Sequence, residues 1–253
     1  MSRGFELVCE IESPVTPDMA VVREQIALLG SSCDAFLVPD SNLGRATVSS
    51  LAVAREVDAL RGRAIACINA RDRNLLGFRR DLLTARAYGL RELLFVHGDE
   101  PRVGERSTLT VRRMLEEVTP PDGGRPFDVG VTADVTRRLP AWKRDADVVF
   151  TQLTFDEQAV ARWREHAGDV AKVFAGVVVL ASATMARRLT DLIPGFEVPA
   201  AVMRDLERGI DVGVDVAVEQ LGRLRESGAV DGVHLVPARR HRDTAQALQR
   251  LER

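Results

Sequence analysis

Eight short runs rich in branched and aromatic apolar residues recur along the chain, and the stretches between them carry helical periodicity. The runs lie near 5–11 (FELVCEI), 34–38 (DAFLV), 64–69 (AIACIN), 92–97 (ELLFVH), 127–132 (FDVGVT), 147–151 (DVVFT), 173–180 (VFAGVVVL) and 231–236 (DGVHLV). The intervening segments read as helices. TPDMAVVREQIALLG offers a Thr/Asp cap and ends on Gly30, and NLLGFRRDLLTARAYGL and DVAVEQLGRLRESGA follow the same pattern. Alternation of this kind argues for parallel strands joined by right-handed crossovers. Eight units predict an α/β protein, a single (β/α)8 TIM barrel, with residues 1–253 as one catalytic domain. An open doubly wound sheet is the alternative.

Composition narrows the function classes. The formal net charge is −2, which gives no electrostatic reason to expect nucleic acid or an anionic membrane as a partner. Lys143 and Lys172 are the only lysines, so positive charge is almost entirely arginine. The arginine-rich end, ARRHRDTAQALQRLER, reads as a solvated last helix. Cys9, Cys33 and Cys67 are widely spaced beside apolar runs, and four His at distant positions give no zinc spacing, so reduced thiols and no metal are expected. No basic-then-apolar leader opens the chain and no run approaches the ~18 apolar residues of a membrane span, so a cytoplasmic location is expected. The stretch TPPDGGRPF (119–127) is the strongest loop signal and marks the face opposite the expected site. Oligomeric state is not legible, because barrel helices always expose some apolar residues.

In a barrel of this kind the reacting groups come from the C-terminal ends of the strands. On the first strand, alternation puts Phe5, Leu7, Cys9 and Ile11 under the helices, and Glu6, Val8, Glu10 and Glu12 inside. An interior carboxylate is costly unless paired or used. Glu10 is therefore the leading candidate, with a Glu–Arg pair as the structural alternative. The third strand ends in Asn69-Ala70-Arg71-Asp72-Arg73-Asn74, either a functional cluster or a salt-bridged loop with Asn74 as helix cap. The fourth places His97-Gly98-Asp99 at its top, where Asp99 would look across the mouth towards Glu10. The sixth offers Gln152, with Asp156 as a cap for the next helix.

At these residues the sequence resembles the methylenetetrahydrofolate reductase family. CEIESP (9–14) stands where that family has Phe-Glu-Phe-Phe-Pro-Pro. CINARDRN (67–74) with LLTARAYGLRELLFVHGDEP (82–101) resembles its Arg-Asp-Arg-Asn run and later Gly-Asp-x-Pro. FTQLTFD (150–156) resembles Thr-Gln-Phe-x-Phe-Asp. The resemblance implies reduction of 5,10-methylenetetrahydrofolate to 5-methyltetrahydrofolate. It makes Glu10 the general acid that opens the imidazolidine ring, Asp99 the fixed charge beside the pterin, and Gln152 a hydrogen-bonding partner of the substrate. Asn69 and Arg204 join the expected substrate-binding set. Arg71, Arg73 and His97 form the set expected to meet the hydride donor, NADH or NADPH.

The sequence departs from that family in one region. Flavin-bearing members have a Tyr-Pro-Glu-type segment and a long loop and helix after the fifth strand. Here that strand runs into ADVTRRLPAWKRDADVVFTQ, and the single tyrosine of the chain is Tyr88. At the eighth strand His234-Leu235-Val236-Pro237 replaces Phe-Tyr-x-Leu-Asn, and Arg204 stands where the family has a substrate-contacting glutamine. These changes count against FAD and suggest direct hydride transfer from NADH or NADPH. No G-x-G-x-x-G follows a strand, so a Rossmann mode of binding is not expected. A flavin-dependent reductase with a rewired flavin site, a non-catalytic folate-binding barrel and a pterin-dependent methyltransferase remain the alternatives.

Overall fold

A computed structural model of the protein describes residues 4–41, 44–60, 62–99, 107–119, 125–168, 170, 172–193 and 195–251. Eight strands form a closed parallel barrel: β1 (Glu6–Glu10), β2 (Ala35–Val38), β3 (Ala64–Asn69), β4 (Glu92–Val96), β5 (Asp128–Ala133), β6 (Val148–Leu153), β7 (Lys172–Val178) and β8 (Gly232–Val236). Each strand pairs with its successor and β8 closes on β1. The expected (β/α)8 architecture is what forms, with every strand within two residues of its expected bounds. The open doubly wound sheet is excluded.

Alternation sorts the strand side chains into two layers. Leu7, Cys9, Ala66, Ile68, Leu93, Phe95, Val129, Val131, Ala175, Val177, Val233 and Leu235 face outward, packing under the helices. Val8, Leu37, Ile65, Cys67, Leu94, Phe150 and Phe174 fill the interior, so the barrel is a packed core and not a pore. Below that layer an ion-pair network closes the N-terminal end. Arg63 reaches Glu6 at 2.6 Å and Glu92 at 2.7 Å, and Lys172 meets the other oxygen of Glu6. The N-terminal floor of the interior is chemically saturated.

The helices are α1 (Ala20–Leu29), α2 (Ser50–Ala59), α3 (Leu75–Ala87), α4 (Val111–Val118), α5 (Glu157–Ala167), α6 (Ala183–Leu192), α7 (Ala200–Glu207), α8 (Gly213–Ser227) and α9 (His241–Leu251). Two connections depart from the one-helix rule. Between β5 and β6 there is only a 3-10 turn, Ala141–Asp145. The Leu139-Pro140 pair explains this, because a proline pushes the preceding residue out of helical geometry. Between β7 and β8 three helices follow one another, and α6 and α7 enclose a satellite core of Val178, Leu180, Ala186, Phe196 and Leu206 above β7.

Cap chemistry matches at α3 and α5, where Asn74 accepts from Gly77 N at 2.8 Å and Asp156 from Ala159 N at 2.7 Å. It differs at α1. Met19 occupies the cap position, and Asp18 accepts from Ala20 N. Gly30 has an ordinary φ of −62°; glycine is needed there because a Cβ would fall 2.8 Å from the carbonyl of Ile26. Much of the TPPDGGRPF loop lies outside the described residues. α9 buries His241, Thr244, Ala245, Ala247 and Leu248, while Arg240 and Arg242 pair with Asp211, Asp243 and Glu24. The three cysteines are free; Cys9 and Cys67 are buried and Cys33 is half-buried. Among the described residues no helix is long and apolar enough to cross a membrane. No group of three or more His, Cys, Asp or Glu among them is placed to hold a metal ion.

Candidate active site

Two glutamates on one face of β1 have opposite surroundings. Glu6 is tied to Arg63 and Lys172 at the closed end. Glu10, two turns of the pleat higher, points into the open end, and its ion-pair neighbour among the described residues is the imidazole of His234, with Nε2 3.2 Å from Oε2. Both side chains are largely buried, at 14% and 13% exposure. At the rim above them Glu12 faces Arg239 at 3.7 Å. Burial pushes the Glu12 carboxyl up; Arg239 opposes that rise and the Glu10 charge adds to it. The first strand therefore carries an interior carboxylate that no guanidinium among the described residues neutralises.

The end of β3 is built as a self-contained polar knot. Asn69 is buried, donating through Nδ2 to Asp40 at 3.1 Å and Asp72 at 2.8 Å, and accepting from the N–H groups of Arg71 and Asp72. Arg73 pairs with Asp40 at 2.7 Å, Asp81 at 3.0 Å and Asp72 at 3.4 Å, and donates to the Asn69 carbonyl. Burial raises the Asp40 carboxyl, while Arg73 and the Asn69 N–H pull it back. The structure thus commits the side chains of Asn69 and Arg73 to shaping this turn. Arg71 points elsewhere and meets His97 at 2.7 Å.

β4 delivers the neighbouring groups. His97 and Asp99 are exposed at the rim on either side of Gly98, whose φ is +87°. A Cβ on Gly98 would lie 2.9 Å from the Cβ of Asn69, so the two strand ends interlock only around a glycine. Asn69, Arg71, Arg73, His97 and Asp99 consequently share one side of the mouth.

Gln152 occupies the far side. The β6–β7 register slips between Phe150 and Leu153, a bulge that re-aims the strand end. Gln152 is exposed and lines a cavity of about 350 Å³ with Asp134, Arg137, Arg138, Leu139, Pro140 and Lys143. Lys143 folds back to donate to the Thr132 carbonyl at 2.5 Å, and burial lowers its pKa against the pull of Asp134. The loop is pinned from outside by Trp163, whose Nε1 donates to the Arg137 carbonyl at 3.0 Å. Arg204 sits exposed in the last turn of α7, on the satellite above β7.

His234, Arg137, Arg138 and Lys143 are not among the site residues expected from sequence. Alternation along GVHLV already placed His234 inside the barrel. Its proximity to Glu10 required the β8–β1 closure, which no local signal carries.

Residues 124–252, just over half of the chain, match the family model described as methylenetetrahydrofolate reductase. The chain belongs to the methylenetetrahydrofolate reductase family. The matched span runs from β5 through α9 and includes Gln152, Arg204 and His234; Glu10, Asn69, Arg71, Arg73, His97 and Asp99 precede it. Folate one-carbon reduction is the class of chemistry this membership brings. No curated protein matches the chain.

Solved structures with the same architecture include the EDTA monooxygenase EmoA from Chelativorans sp. BNC1, with a TM-score of 0.58 at 12% identity over 98% of this chain and 94% of that one. A mutant tryptophan synthase alpha-subunit from Pyrococcus furiosus gives 0.56 at 13% identity over 100% and 99%. The spore cortex-lytic enzyme SleL from Bacillus cereus gives 0.55 at 11% over 98% and 74%. At such identities these likenesses concern the fold of the reductase-family chain and not its chemistry.

Proposed function

We propose that this member of the family reduces 5,10-methylenetetrahydrofolate to 5-methyltetrahydrofolate with hydride taken directly from NADH or NADPH. The observation that carries the reading is Glu10. An interior carboxylate at the C-terminal end of a barrel, without a guanidinium among the described residues to hold its charge, suits proton donation far better than structural pairing. Glu10 gives its proton to a ring nitrogen of the folate as the imidazolidine opens. Asp99 stands at the rim as the negative charge for the developing iminium, and Gln152 offers an amide to the pterin. Arg71 with His97, and Arg137 with Arg138, put cations on the β3–β6 side for the donor's pyrophosphate. Asn69 and Arg73 hold the turn that presents these groups, and Arg204 lies where the folate glutamate tail would leave the mouth.

The direct-transfer reading is supported by the β5–β6 connection. A flavin in this family would be held after the fifth strand, and the residues there do not fit one. A single 3-10 turn crosses the region, Leu139 is buried, and Lys143 is folded back onto the backbone of β5. No hydride step is therefore routed through FAD.

The test is oxidation of NADH, then NADPH, by extensively dialysed protein with and without 5,10-methylenetetrahydrofolate, repeated with FAD added. Folate-dependent oxidation without FAD is the expected result. Activity that needs FAD would overturn direct transfer, and no oxidation of either nucleotide would overturn the reductase reading. Glu10→Gln should abolish turnover while leaving folate binding measurable.

A further inference from the structure

His234 is an anomaly of packing. It lies in the register of the hydrophobic interior, beside Val8 on β1 and Gly176 on β7, with the edge of its ring set 84° to Phe150 at 6.0 Å. A buried imidazole nitrogen normally has a hydrogen-bond partner. Nε2 of His234 is buried and makes no hydrogen bond, although the Glu10 carboxylate lies 3.2 Å away, off the direction a ring N–H would need. On the neighbouring strand β7 the paired residue is Gly176, where a Cβ would fall 2.9 Å from the Thr151 carbonyl of β6.

The charged and titratable groups around the pair are few. β1 contributes Glu10 itself and, at the rim, Glu12 facing Arg239. β3 contributes Cys67, whose thiol burial and the nearby Glu10 and Asp40 charges push well up, keeping it neutral. α9 contributes His241, held down by burial with Glu10 and Glu24 opposing. Of these, His234 is the group within contact distance of the Glu10 carboxylate, and an imidazole can both take and give a proton.

Resting on the reductase reading, we propose that His234 is a positioning residue that aligns Glu10 and refills it with the proton it donates in each turnover. The ring turns to bring Nε2–H into line with the Glu10 carboxylate, the N–H bond of the imidazolium breaks and an O–H bond forms on Glu10. Glu10 then protonates the folate nitrogen as that nitrogen's bond to the one-carbon unit opens, the electron pair staying on nitrogen. The second folate nitrogen forms the iminium with the same carbon. NADH or NADPH delivers hydride to that carbon and is oxidised, and the neutral imidazole recovers a proton from water. One hydride and one proton are consumed per methyl group made.

His234→Gln keeps a polar side chain of similar reach but cannot relay a proton. It should lower kcat by about a hundredfold, the low end of general acid–base contributions. KM for folate and nucleotide should stay within about twofold, and the shape of the pH–rate profile should change with the loss of the imidazole. Wild-type kcat and pH profile in His234→Gln would overturn the proposal. Should that variant fail to fold, the His234 ring is titrated by NMR in the wild type and in Glu10→Gln. The ring should lose its proton at lower pH in Glu10→Gln; an unchanged titration overturns the pairing. A folded wild type without folate-dependent nucleotide oxidation would sink the reductase reading, and the ring titration would still decide whether the pair shares a proton.

Discussion

Gly98 and Asn69 are interlocked: at φ +87° the Gly98 backbone passes so close that any Cβ would stand 2.9 Å from that of Asn69. Gly98→Ala therefore meets two obstacles, a left-handed backbone and a collision with a side chain held by five hydrogen bonds to Asp40, Asp72 and Arg71. The expected cost is about 1–3 kcal/mol for the strained backbone alone. Because His97 and Asp99 flank this residue, turnover should fall further than stability. Comparing the urea midpoint with kcat/KM for the same variant checks both halves of the expectation.

Arg73 should prove structural. It is 16% exposed and holds Asp40, Asp72 and Asp81. Arg73→Ala leaves Asp40 buried without its cation, a class of change that costs about 3–5 kcal/mol. Arg73→Lys should recover little, since a single ammonium cannot span carboxylates that a guanidinium fork reaches together. If Arg73 instead contacted the nucleotide, its loss would raise KM for NADH and leave the denaturation midpoint unchanged.

The contrast between Glu10 and Arg73 shows what the sequence could carry. The period-2 alternation of FELVCEI places Glu6 and Glu10 inside without any knowledge of partners, and the eight-fold recurrence of such runs predicts the closed barrel. The fate of a charge depends on contacts that alternation does not encode. Arg73 was expected to face the nucleotide, but Asp40 comes from the end of β2 and Asp81 from α3, and their meeting is a product of the tertiary fold. Glu6 and Glu10 look alike in sequence; only the positions of Arg63, Lys172 and His234 separate a structural carboxylate from an available one. The expected helix between β5 and β6 failed for a local reason, Leu139-Pro140, that the sequence did contain.

The floor of the barrel should make stability fall in acid. Burial alone would raise the Glu6 carboxyl, but hydrogen bonds from Lys172 and Arg63 outweigh it and hold the group below its ordinary value. A carboxylate depressed in the folded state contributes stability above its unfolded pKa of ~4.3, and that stability is lost as pH falls through the folded value. Urea midpoints measured from pH 7 down to pH 3 should show the drop in the wild type. Glu6→Gln should be less stable at pH 7, where Arg63 and Lys172 lose their shared partner, and should show a shallower decline in acid. A decline of equal steepness in both proteins would mean that Glu6 is not the group responsible.

The cavity beside Gln152 makes a separate demand. Asp134 is its one acidic lining residue, against Arg137, Arg138 and Lys143. Arg137 leans on Asp134 at 3.4 Å, and Lys143 is spent on the Thr132 carbonyl, whereas Arg138 is exposed and makes no ion pair among the described residues. A donor nucleotide whose pyrophosphate lies here gains a charge-assisted contact from Arg138 in ground state and transition state alike. Arg138→Ala should then raise KM for the nucleotide by roughly tenfold with little change in kcat, the signature of lost uniform binding. Salt should weaken nucleotide binding to the wild type more than to the variant, because an exposed ionic contact is screened within about 10 Å at 0.1 M. Steady-state kinetics at two ionic strengths measures both effects. An unchanged KM for the nucleotide, or an effect confined to the folate, would move the pyrophosphate away from this loop and towards Arg71 and His97.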